Sequence, residues 1–239
     1  MNQGKASSSK EKVTTKNQSG LTTGTSKAVN ALVHFTLAAI AGLIIFKTVS
    51  EVGIILYTWH PVFMSIGYLL LMTDGILTMA DRNIFTDGCT YQKRVTYHWM
   101  FQAVGLILIT IAQSAIYINK ENNEYPHYQT THSLFGLVTY LTTIIASLGG
   151  TFTKFSYNLR NIIKPNMLKA VHGFASCIVY ILGVVTILLG INQTFTEESN
   201  SNINNGILIS LSLTTLYVVS KSLKTSKGRF QEVFSKSKK

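Results

Sequence analysis

The chain has 239 residues, 46% of them hydrophobic and only 13% charged, with a formal net charge of +11 and a mean hydropathy of +0.26. A soluble domain carries roughly a quarter charged residues, so this composition excludes an ordinary soluble globular protein and points to the membrane class. The positive charge is spread over tails and loops instead of one folded face, which removes the nucleic-acid reading that such a balance invites.

Residues 1–27 are polar and rich in Ser, Thr and Lys. They read as a disordered cytosolic tail, and they lack the apolar run that a signal peptide needs. Six hydrophobic stretches follow, at about 28–46, 54–79, 95–118, 129–153, 168–191 and 206–220. A spanning helix takes about 20 apolar residues, and the first five stretches supply them. The sixth, GILISLSLTTLYVVS, is short. The expected fold is an all-α membrane protein of six transmembrane helices, with residues 28–223 as the membrane domain and 224–239 as a basic cytosolic tail.

Lys and Arg set the orientation. Nineteen of the 21 fall in the two tails and in the second and fourth loops, including Arg82, Lys93, Arg94, Lys154 and Lys169. Only Lys47 and Lys120 fall on the other side. Both termini are therefore expected in the cytosol, which requires an even number of crossings and so supports the short sixth span. Asn192-Gln193-Thr194 is a glycosylation acceptor on the opposite side. Cys89 and Cys177 form no metal or disulfide spacing and read as free thiols.

Four histidines, His60, His98, His132 and His172, each lie near the start of a different central span, at intervals of 38, 34 and 40 residues. Ionisable side chains inside a bilayer are costly and tend to be functional. In successive antiparallel helices, alternate histidines reach the same depth, so His60 pairs with His132 near the outer face and His98 with His172 near the cytosol. The pairs are expected roughly 10–20 Å apart in a hydrocarbon core of about 30 Å. Two imidazoles at one height can clamp a flat macrocycle through both axial positions of its iron. Zinc would want three or four ligands converging at one depth. These positions are thus the expected axial ligands of two haem b groups in a four-helix dihaem bundle of helices two to five. A histidine-lined transporter of protons or a divalent metal remains the alternative, as does a haem-binding membrane subunit without reductase activity of its own.

The other two histidines carry weaker signals. His34, in the first span, has no evident partner at its depth and reads as packing or hydrogen bonding. His127 lies at the mouth of the outer pair, where it reads as a solvated loop histidine or as one that meets substrate or carries a proton. Asp74 is the one carboxylate inside a span, and an interfacial cap, a hydrogen bond to a neighbouring helix or a proton-relay role would each suit it. Glycines such as Gly67, Gly105, Gly150 and Gly183 permit close approach of helices or of a flat ring.

At Trp59-His60-Pro61-Val62-Phe63-Met64-Ser65, His98-Trp99, Thr131-His132-Ser133-Leu134-Phe135-Gly136 and Val171-His172-Gly173, the chain resembles the cytochrome b561 family, over residues 28–223. It is most similar to the short domain-containing reductases of animals. The resemblance implies electron transfer from cytosolic ascorbate to monodehydroascorbate or Fe(III) across an endomembrane (endoplasmic reticulum or vesicle) or the plasma membrane, by a lipid-embedded protein that could form a homodimer. Ascorbate-specialised members carry an apolar-Tyr-Arg motif where the second helix meets the cytosol. Here that region reads Ile76-Leu77-Thr78-Met79-Ala80-Asp81-Arg82, leaving Arg82, Lys93 and Arg94 as the basic residues available to attract an anion.

Overall fold

The computed structural model describes residues 3–194 and 201–235. Among the described residues six helices make up the bundle: α1 (Gln3–Val52), α2 (Leu56–Leu77), α3 (Tyr91–Asn122), α4 (Thr131–Lys154), α5 (Pro165–Thr194) and α6 (Ser201–Ser235). Each contains a segment long and apolar enough to cross a membrane, and the described residues include no strand. The six expected spans are therefore present, with two extensions at the ends. Residues 3–27 continue α1 and 224–235 continue α6. No proline precedes Pro61 or follows Pro165, and once a helix is nucleated, extending it costs little.

Local chemistry starts and stops the central helices. The Thr90 side chain accepts the Lys93 N–H at the start of α3, and Thr130 with Ser133 forms a capping box at α4. Pro165 opens α5, where a missing N–H has no cost. Helix α2 is irregular: a 3₁₀ turn (Leu56–Thr58), an α-helical turn (Trp59–Met64), a π-helical stretch (Ser65–Met72) and a last α-helical turn (Thr73–Leu77). Pro61 lies in its first full turn, the only part of a helix that tolerates proline without losing a bond.

The bundle is built from helix pairs. α2 packs closely on α3, and α4 on α5, while α3 and α4 touch sparsely. α1 lies against α2, and α6 against α5. Space is thereby left inside the four central helices. The α2–α3 crossing is tight because Gly67 and Gly105 face each other. A Cβ on either would come within 3.0 Å of the other's carbonyl oxygen. Backbone approach of this kind drives helix association in lipid, where no hydrophobic effect assists.

The α2–α3 loop is fastened to α1. Asn30 accepts the Ile84 N–H at 2.9 Å, and Asn83 accepts the N–H groups of Phe85 and Thr86. Lys27 pairs with Asp87 and is the main reason that carboxyl is held below its usual range. A depressed carboxylate contributes above the unfolded-state value and loses that contribution as pH falls through the folded one. The pair thus acts at neutral pH and fades in acid.

Gly105→Leu is expected to cost about 1–3 kcal/mol by overpacking the α2–α3 crossing. The measurement is thermal unfolding in nanodiscs, with Gly42→Ala, where an added Cβ meets nothing within 4 Å, as the control that leaves the midpoint in place.

Candidate functional site: two histidine-lined cavities

The space between the helix pairs is divided into two cavities of about 440 and 490 Å³. His98 and His172 line the first, His60 and His132 the second. The ring centroids stand 6.3 Å apart in the first pair, with planes at 85°, and 6.2 Å apart in the second, with planes at 86°. The depth pairing expected from the sequence is the pairing that the fold brings together.

Each pair joins one helix from α2–α3 to one from α4–α5, and the rings are held from behind. His60 Nδ1 meets the Ala112 carbonyl on α3 at 3.2 Å, and His98 Nδ1 meets the Gly75 carbonyl on α2 at 2.7 Å. His132 Nδ1 meets the Thr186 carbonyl on α5 at 2.9 Å. A carbonyl only accepts, so each Nδ1 carries the proton and leaves Nε2 as a lone-pair donor. His172 lies against Gly150, where a Cβ would come within 3.0 Å of its ring, and His132 lies closer still to Gly190, at 2.8 Å.

The two levels are farther apart than expected. Along α3, 14 residues separate His98 from Ala112, the level of His60, which is about 21 Å at 1.5 Å per residue. Along α4, 18 residues separate His132 from Gly150, the level of His172, or about 27 Å. Tyr68 and Thr143 line both cavities and form the partition. The Tyr68 hydroxyl donates to the Val179 carbonyl at 2.8 Å, and its ring occupies the space left by Gly183, where a Cβ would collide with it.

The eukaryotic cytochrome b561 model matches residues 59–198, more than half of the chain. The chain belongs to the cytochrome b561 family. Haem b is the cofactor that membership implies, and transmembrane electron transfer the class of activity. Among curated relatives, the protein named "Probable transmembrane reductase CYB561D1" of Homo sapiens is 28% identical over 154 residues, 64% of this chain and 67% of that protein. Its Mus musculus counterpart is 30% identical over 150 residues, 62% of this chain and 65% of that protein. "Transmembrane reductase CYB561D2" of Homo sapiens is 25% identical over 162 residues, 64% and 69% of the two chains. The chain thus spans about two thirds of the length of these relatives.

The residues present fit a haem. Two imidazole–metal bonds of about 2 Å each account for a centroid spacing near 6 Å. The cavity volumes lie in the range of small-molecule and cofactor sites. The glycines beside His132 and His172 keep the ring edges clear. Among the described residues, no three or more of His, Cys, Asp and Glu converge, so a zinc-type cage is not formed.

Around these pairs the polar residues sort differently from the expectation. Arg82, Lys93 and Arg94 line neither cavity. Arg94 is spent on the Ala80 carbonyl at 3.4 Å and on Asp81 at 3.7 Å. The cations on the His98/His172 cavity are instead Lys154, Lys169, Lys221 and Arg229, and no described carboxylate lines it. Lys154 Nζ sits 4.2 Å over the Trp99 ring, and Lys169 Nζ 5.4 Å over Tyr91, cation–π contacts that fix where the charges point. Lys221, Thr225 and Arg229 recur every four residues on α6, a periodicity that a census of charge by loop overlooks. His127 does stand at the mouth of the His60/His132 cavity, bonded to Glu121 at 2.9 Å and stacked on Tyr117 at 4.5 Å.

His34 is not without a partner. Its Nδ1 lies 2.7 Å from Asp74 Oδ1, and its Nε2 3.4 Å from Asn83 Nδ2. No spacing pattern signals this contact, because His34 and Asp74 are 40 positions apart on different helices. Asp74 thus makes the bond to a neighbouring helix that its position suggested.

Gly190→Val is expected to crowd His132 and empty only the His60/His132 cavity of cofactor. Difference absorbance spectra of the purified protein, compared with Gly206→Ala, where an added Cβ meets nothing within 4 Å, check this.

Proposed function

We propose that the protein carries electrons across the membrane between two haem b groups, one ligated by His98 and His172 and the other by His60 and His132. The observation that carries the reading is the pair of facing imidazole couples, each aimed into its own cavity at opposite ends of one bundle. Haem supplies a one-electron couple, and two protein ligands on its iron leave no coordination position for oxygen or substrate. The chain's own part is to orient His60, His98 and His132 through their Nδ1–H bonds, keep water out with apolar walls and bring charged partners to the two mouths.

The basic end is read as cytosolic, with both termini there, on the strength of the Lys and Arg asymmetry. The donor is ascorbate or a similar small anionic reductant. Lys154, Lys169, Lys221 and Arg229, with no described carboxylate beside them on the cavity wall, form a field that concentrates an anion at the His98/His172 mouth. The acceptor on the opposite side is monodehydroascorbate or Fe(III), approaching past Lys120 and His127.

Purified protein should contain two haems b per chain by pyridine haemochromogen assay. His60→Ala and His132→Ala should each remove the same single haem, and His98→Ala and His172→Ala the other. Loss of one common haem from His60→Ala and His98→Ala would overturn the pairing. In sealed vesicles, Lys154→Gln and Lys169→Gln should each raise the KM for ascorbate about fivefold, since one charge at contact distance in water is worth about 1 kcal/mol. The difference should shrink at high salt.

A further inference from the structure

The carbonyl that aims His98 belongs to a weakly supported piece of helix. Gly75 lies in the five-residue turn Thr73–Leu77, with the π-helical stretch Ser65–Met72 before it. After it the chain tightens: Thr78 N–H bonds to Asp74 O, Met79 N–H to Ile76 O and Ala80 N–H to Leu77 O. The Gly75 carbonyl thereby leaves the helical ladder and accepts two side chains, the Thr78 hydroxyl at 2.7 Å and His98 Nδ1 at 2.7 Å. A turn that short cannot hold its orientation by its own hydrogen bonds.

Lateral ties hold it. Gln102 Nε2 donates to the Met72 carbonyl at 2.9 Å from α3, and Thr73 Oγ1 lies 3.2 Å from the Tyr180 hydroxyl on α5. The tie on the remaining side is Asp74, bound at 2.7 Å to His34 on α1. His34 is in turn held by Asn83 and by the edge of Phe85, ring centroids 4.9 Å apart. The side chains are 10% and 24% exposed, enough withdrawal from solvent for the bond to matter. Asp74 and Gly75 are consecutive: one faces α1 and the other, through its carbonyl, faces His98.

We propose that His34 and Asp74 are positioning residues for the His98/His172 site, pinning α2 to α1 so that the Gly75 carbonyl stays on His98 Nδ1. This rests on the haem-ligand reading of His98. An imidazole that donates Nδ1–H to a firmly placed acceptor is a more basic ligand, and a more basic ligand favours the oxidised, more positive iron. Loosening the carbonyl therefore raises the midpoint potential of that haem and leaves the other, on His60 and His132, where it was.

The test is spectroelectrochemical titration of the full chain in nanodiscs, after haem content has been measured. Asp74→Asn and His34→Gln are both expected to shift the midpoint of the haem that His98→Ala removes, and both upward. If the pair acted only through its charge, Asp74→Asn would raise the midpoint while His34→Gln would lower it or leave it in place, and either result for His34→Gln would overturn the proposal. An unchanged midpoint in both variants would overturn it as well. Should the Asn variant lose that haem, Asp74→Glu carries the test: it retains the charge but moves the carboxylate by one methylene, and a midpoint equal to wild type would again count against positioning. Absence of haem from the wild-type protein would instead sink the ligand reading itself, so the two failures are distinguishable.

Discussion

Three of the four cavity histidines are aimed by a hydrogen bond from Nδ1 to a main-chain carbonyl on the neighbouring helix. The geometry requires one tautomer, turns Nε2 toward the cavity and makes use of acceptors already present in a helical backbone. It also explains the paired architecture. Each of these three needs a helix close enough to offer a carbonyl and a second helix far enough away to leave room between the rings. Close packing of α2 on α3 and of α4 on α5, with little contact between α3 and α4, meets both needs at once.

That arrangement tolerates irregular backbone where function calls for it. A carbonyl satisfied within the helical ladder is a poorer acceptor for a side chain, and Gly75 escapes the ladder because α2 changes from π to α helix and then tightens into a turn within about ten residues. π-helical segments recur at functional sites for this reason: they alter which main-chain groups face inward. The cost is a segment needing support from several sides, and α1, α3 and α5 each contribute a tie to it.

The spans and the four ligand candidates were readable in the sequence because both depend on one-dimensional signals, runs of apolar residues and polar residues interrupting them. The pairing was readable because antiparallel crossings convert spacing into depth. What escaped was set by contacts between distant positions. His34 meets Asp74 only after α1 packs on α2. The basic wall of the His98/His172 cavity is drawn from α4, α5 and α6, and its residues had already been assigned to orientation by the loop census. Lys154 and Lys169 can serve in both capacities, since a charge that keeps a loop on one side of a bilayer is also a charge beside the cavity opening there.

Tyr68 and the space made for it by Gly183 have an electrical meaning. The ring stands between the two cavities, and its stacked neighbour Tyr180, 6.4 Å away with planes at 8°, lines the His98/His172 side. Under the proposed activity, electrons cross this partition while water and ions do not follow through it. Each transfer then moves one uncompensated charge through most of the bilayer, against or with a membrane potential worth about 2.3 kcal/mol per 100 mV. The rate of such a protein is therefore tied to the voltage across the membrane it occupies, and turnover itself builds up or dissipates that voltage.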